Sequence, residues 1–139
     1  MAVGIFRLGT EDFSGTVGKT TICTNSEAED MIAHVQVSMQ MTYAYVSGSS
    51  KYRYGICKVY LMDSGETTEG KIGEFLVKVS DSSGFQESAE TFTIRGVLIP
   101  ENYSIKAETV LSSLESGLEA TFTTTVTAFG YGENKITTR

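Results

Sequence analysis

The chain has no tryptophan and only one proline and one histidine, Pro100 and His34. A single histidine gives a Ser-His-Asp site one candidate base, and no Gly-x-Ser-x-Gly elbow accompanies it. The expectation is therefore a protein that is not an enzyme. Two cysteines, Cys23 and Cys57, are too few for a disulfide framework and read as reduced, buried small hydrophobes. With His34 they supply three soft metal ligands, but without Cys-x-x-Cys spacing. The acidic groups Glu27, Glu29, Asp30 and Glu66, Glu69, Glu74 do not follow the spacing of a calcium loop. No metal site and no cofactor are expected.

Other shortages exclude partners. Apolar runs are only a few residues long, far below the ~20 that a spanning helix needs. Eleven basic residues against seventeen acidic ones leave a net charge of -6. That argues against nucleic acid and against anionic membrane surfaces, both of which select basic faces. Met1 to Arg7 lack the basic start and apolar stretch of a signal peptide, so synthesis in the cytoplasm is expected. The segment Gly15-Thr16-Val17-Gly18-Lys19-Thr20 ends like a phosphate-binding loop. It has Phe13 where that loop needs glycine, and β-branched residues where a helix must follow.

What is present is alternation. Val35, Val37, Met39, Met41, Tyr43 and Tyr45 are apolar, and between them lie His34, Gln36, Ser38, Gln40 and Thr42. Period two marks a strand with one face in the core and the other toward water or a partner. After the turn Ser47-Gly48-Ser49-Ser50 a second strand is predicted near 52–63, pairing antiparallel with the first. Further strands fall near 3–8, 17–23, 72–80, 91–99, 103–109 and 119–129, from Thr, Val, Ile and aromatic enrichment. Turns are read at Asp12-Phe13-Ser14-Gly15, Thr24-Asn25-Ser26, Thr68-Glu69-Gly70, Asp81-Ser82-Ser83-Gly84 and Pro100-Glu101-Asn102. Residues 108–118 fit either a helical turn or a loop. The 139 residues suit one domain over 1–139. The fold class expected is all-β: a single antiparallel β-sandwich, jelly-roll-like, with about eight strands, the alternative being a barrel.

Candidate interface residues follow from the same pattern. Tyr43, Tyr45, Tyr52, Tyr54 and Tyr60 cluster on the two strands around the 47–51 turn, and amphipathic aromatics serve either cross-strand packing or an interface. His34 lies on the polar phase of its strand and reads as a surface or interface residue.

Two stretches carry a family resemblance. Gly96-Val97-Leu98-Ile99-Pro100-Glu101-Asn102-Tyr103-Ser104-Ile105-Lys106-Ala107 is followed by Thr123-Thr124-Thr125-Val126-Thr127-Ala128-Phe129-Gly130-Tyr131-Gly132-Glu133. Earlier, Thr20-Thr21-Ile22-Cys23-Thr24-Asn25 precedes the long alternating strand. This resembles small β-sandwich virion proteins of tailed bacteriophages over about residues 20–133. The resemblance implies a virion location and partners such as the major capsid protein or other virion proteins. It also implies a homo-oligomer, with a trimer among the candidates. Within that family the leading expectation is a capsid decoration (cement) protein. The alternatives are a neck, tail or fibre component, or a receptor- or carbohydrate-binding module.

Overall fold

The computed structural model describes residues 3–45, 53–65, 69–79, 85–112 and 118–133. Among them are eight strands: β1 (Val3–Ser14), β2 (Val17–Thr24), β3 (Met31–Tyr45), β4 (Arg53–Met62), β5 (Glu69–Val79), β6 (Phe85–Ile99), β7 (Ser104–Leu111) and β8 (Leu118–Glu133). They form two four-stranded antiparallel sheets, in the orders β1-β8-β3-β6 and β2-β7-β4-β5. Successive strands switch sheets at every connection except β4 to β5. This is the two-Greek-key jelly roll. Gly18-Lys19-Thr20 lies within β2, so no helix start follows the glycine.

The predicted pairing of the strands around residues 31–46 and 52–63 is corrected. β3 pairs with β6 and β8, and β4 pairs with β5 and β7, in the opposite sheet. Both strands carry a buried apolar phase, and two such faces can be satisfied by facing one another as well as by lying side by side. The turn read at Asp12–Gly15 is also displaced. Phe13 is strand, buried in the core, and the chain turns at Gly15, where φ is 68°. The 108–118 stretch contributes strand up to Leu111, with β8 beginning at Leu118.

The core lies between the sheets. Val35, Val37, Met39 and Met41 enter from β3, Val126 and Phe122 from β8, Cys57 and Val59 from β4, and Ile105 and Ala107 from β7. Along one seam, Phe75 of β5 stacks on Phe92 of β6 at 4.6 Å and 18°. This closes the edge of the sandwich with aromatic surface.

Both cysteines are free and buried. Burial pushes the Cys23 thiol up to about 11 and the Cys57 thiol up to about 12, the latter aided by the nearby Glu108 carboxylate. Both therefore stay protonated and unreactive at neutral pH. Native protein should react with a thiol reagent only slowly, while the unfolded chain should titrate two thiols without reductant. Fewer than two would reveal a bridge. These thiols favour the fold most below the unfolded-state value of 9.0, and that contribution is lost as pH rises from 9.0 through about 11 to 12.

Candidate interaction surfaces

The outer face of the first sheet is built of small hydroxyl and amide side chains. Register aligns them in rows: Thr10, Thr127, Gln36 and Thr93; then Asp12, Thr125, Ser38 and Thr91; then Ser14, Thr123, Gln40 and Ala89. Neighbours bond across strands. Thr10 Oγ1 and Thr127 Oγ1 lie 2.9 Å apart, Thr125 Oγ1 donates to Asp12 at 2.8 Å, and Gln40 Nε2 donates to Glu87 at 3.0 Å. β-Branched threonine is at home on a strand, so this face holds its shape with little rotamer freedom. Beside Ala89, the smallest outward side chain of these rows, the surface dips into an open depression of about 280 Å³ lined by Ser38, Gln40, Thr91, Thr123 and Thr125.

Toward the other end of the same face the chemistry changes. Ile32 and Leu98 are register partners on β3 and β6, and each is 49% exposed. One step along, His34 and Phe129 are partners on β3 and β8, with ring centroids 5.1 Å apart. Apolar side chains here occupy the phase that carries hydroxyls elsewhere. A bulge creates part of this arrangement. His34 lies at the point where the β3–β6 register shifts, Val35 pairing with Ile94 and Ala33 with Val97. Arg95 and Gly96 fit against it, with Gly96 at φ 65°, a conformation glycine accepts freely. The extra residue reverses the phase of β6. Val97 and Ile99 then enter the core and Leu98 faces out.

Asn25 braces this end. It is buried, and its Nδ2 donates to the Glu29 and Ile99 carbonyl oxygens, both at 2.8 Å, while its Oδ1 accepts from the Glu27 amide. Its backbone also exchanges hydrogen bonds with Tyr103 and Asn102. The entry to β3 and the exit from β6 are thus tied together beside Ile32 and Leu98.

The outer face of the second sheet is different again. Tyr60 is buried there, with its hydroxyl bonded to the Glu108 carboxylate and Lys19 Nζ 4.6 Å from its ring centre. Successive rows run Lys106, Tyr60 and Lys71; Glu108, Lys58 and Glu74; and Val110, Ile56 and Leu76. Tyr54 and Lys78 follow. Leu76 is 50% exposed.

The predicted interface residues are therefore not gathered in one place. His34 lies on the outer face of the first sheet and Tyr54 on that of the second. Tyr43 and Tyr45 belong to β3, with their side chains outside the described residues, and Tyr52 is also outside them. Sequence reasoning missed Ile32, Leu98, Phe129 and Leu76. The available signal was apolar residues in phases that should be polar, such as Leu98 within Val97-Leu98-Ile99. Among the described residues no group of three or more His, Cys, Asp or Glu is placed to hold a metal ion. No helix among them is long and apolar enough to cross a membrane.

No protein-family model matches the chain, and no curated protein matches it. Solved structures similar to it include the infectious bursal disease virus VP2 subviral particle, at 14% identity and a TM-score of 0.34. That match covers 94% of this chain and 36% of the other, so the chain spans about a third of VP2. The cyanophage Pam1 capsid asymmetric unit matches at 11% identity and a TM-score of 0.34, covering 92% of this chain and 84% of the other. The CBM36-1 domain of a multidomain xylanase, from the hindgut metagenome of Trinervitermes trinervoides, matches at 11% identity and a TM-score of 0.26. The coverage there is 95% and 98%.

Proposed function

We propose that the chain is a non-enzymatic virion structural protein, made in the host cytoplasm, that decorates an assembled phage head. In this reading the outer face of the first sheet docks on the major capsid protein, and the decoration protein acts as a homo-oligomer. The observation that carries the reading is the exposed pair Ile32 and Leu98 beside His34 and Phe129. This is an apolar patch at the end of a stiff, hydroxyl-covered sheet. Apolar patches rimmed by polar residues mark association surfaces. A rigid face loses little entropy when it docks. Jelly rolls serve in capsids and lectins alike, so the fold by itself leaves both open.

The mechanism is linkage. A protein that binds the assembled lattice and not the free subunits raises lattice stability by its binding free energy, without being needed for assembly. Particles made without the protein should assemble, then break at lower temperature than complete ones. Ile32→Asp and Leu98→Asp should each release the protein from purified particles, because a carboxylate at the centre of an apolar contact is left unpaired. Co-sedimentation with particles measures this. Particles that lack the protein, keep full head stability and fail to attach to cells would sink the decoration reading.

A second reading draws on the depression beside Ala89. Its hydroxyls and the Gln40 amide suit a sugar's hydroxyl groups, as in a receptor- or carbohydrate-binding module. Retained particle binding by Ile32→Asp, with loss of glycan binding by Thr91→Val and Thr123→Val, would favour it.

A further inference from the structure

The outer face of the second sheet has an order that the docking of the first sheet does not use. Its centre is an apolar row crossing three strands: Val110 on β7, Ile56 on β4 and Leu76 on β5. None of the three belongs to the core, whose positions on these strands are Thr109, Cys57 and Val77. Charged and polar residues lie on both sides of the row. On one side are Glu108, Lys58 and Glu74; on the other, Ser112, Tyr54 and Lys78.

We propose that this face pairs the chain with a second copy, about a two-fold axis running along the Val110–Ile56–Leu76 row. Rotation about that line keeps each strand over its own counterpart and reverses its direction. Leu76 then meets Leu76 of the second copy, Ile56 meets Ile56, and Val110 meets Val110. Residues equally distant from the row on either side are exchanged. Glu74 and Lys78 are each two residues from Leu76, so each Glu74 faces a Lys78 across the interface, twice. Lys58 and Tyr54 are each two residues from Ile56, so each lysine faces a tyrosine, an arrangement that allows a cation–π or hydroxyl contact. Glu108 likewise faces Ser112. No like charges are opposed in these rows.

That self-complementarity is what an isologous interface requires, since each residue must suit its symmetry mate. A two-fold axis along β4 would also lay the apolar row on itself, but it would set Lys58 against Lys58 and Glu74 against Glu108, so the charges exclude it. The Lys71–Glu74 ion pair at 2.9 Å leaves the second Glu74 carboxylate oxygen to accept from the facing lysine. The apolar row supplies the attraction and the charges select the register, because exposed ion pairs add little by themselves.

Sedimentation equilibrium on the full chain tests the pairing. The wild type should form a dimer, and Leu76→Glu should be monomeric. Glu74→Lys and Lys78→Glu should each weaken the dimer about tenfold by opposing like charges. The double variant Glu74→Lys, Lys78→Glu should restore affinity to within about threefold of wild type, because the exchanged charges again face opposite signs. A double variant no tighter than either single one would overturn the proposal, as would a wild type that stays monomeric. Far-UV circular dichroism confirms that each variant is folded. An independent check uses Leu76→Cys, which a short bis-maleimide should cross-link to a covalent dimer because the axis passes beside position 76 and facing sheets lie about 10 Å apart. Leu98→Cys, on the other sheet, should not cross-link. The reverse outcome for the two cysteine variants would also overturn the pairing. Particle binding through Ile32 and Leu98 reads out separately, so failure of one surface does not resemble failure of the other.

Discussion

Replacing Phe122 by alanine should lower the unfolding free energy by about 3–5 kcal/mol, the range for losing a fully buried aromatic ring. For a domain whose whole stability is ~5–15 kcal/mol, that is a large share. Phe122 is 1% exposed and reaches from β8 across to the second sheet. Its ring lies over Gly55 of β4, so close that a Cβ at position 55 would stand 2.6 Å from two ring carbons. Glycine there is the hollow that admits the ring. Two further results follow. Gly55→Ala should destabilise on its own, because the ring must move. The double variant Gly55→Ala, Phe122→Ala should cost less than the sum of the single ones, since the new methyl occupies vacated space. Urea unfolding followed by circular dichroism measures all three. A cost below about 1 kcal/mol for Phe122→Ala would show that the ring does not fill the space between the sheets.

Asn25→Asp should cost about 3 kcal/mol at neutral pH although it exchanges one amide for a carboxylate of the same shape. The Nδ2 of Asn25 donates to two carbonyl oxygens, those of Glu29 and Ile99. A carboxylate oxygen in that place repels both, and the site is buried, so water cannot compensate. Protonation would restore one of the two donors. The introduced carboxyl should therefore have its folded-state value raised above the unfolded one. The variant is then least impaired below about pH 4, and its deficit deepens as pH rises through the raised value. Thermal melts across that range measure the slope against wild type. A flat difference would indicate that loop 25–30 relaxes away from Asn25. Because Asn25 ties Ile99 beside the Ile32–Leu98 pair, the same variant should also weaken particle binding before it unfolds.

The strands were largely legible in the sequence, and the reason is local. Val35, Val37, Met39 and Met41 alternate with His34, Gln36, Ser38 and Gln40, and a pleated backbone turns that alternation into two faces without help from the rest of the chain. The same logic placed His34 on an outer face. It failed where a strand shows no alternation of its own. Asp12-Phe13-Ser14-Gly15 has the composition of a turn, yet Phe13 is core because β8 is long enough to pair with β1 as far as Ser14. The candidate surface was only partly legible. The alternation placed His34 and Tyr54 on outer faces, where they lie, but gave no sign that Ile32, Leu98 and Leu76 are exposed. Each sits between apolar neighbours, as in Val97-Leu98-Ile99 and Phe75-Leu76-Val77, so alternation is masked there and pairing decides which phase faces out.

The sequence by itself determined an all-β chain of about eight strands with a wet face on β3, because period two and turn composition are properties of neighbouring residues. Only the tertiary structure decided which strands share a sheet. β3 and β4 follow one another along the chain yet lie in opposite sheets. A hydrophobic face is satisfied equally by either arrangement, and the choice is made by the packing of all eight strands together. Tertiary structure also decided the side on which Leu98 emerges. One extra residue at Arg95–Gly96 reverses the phase of β6, and the reversal becomes visible only when Val97 and Ile99 are seen in the core. The chemistry of each face was written residue by residue, but which residues became neighbours was set by register.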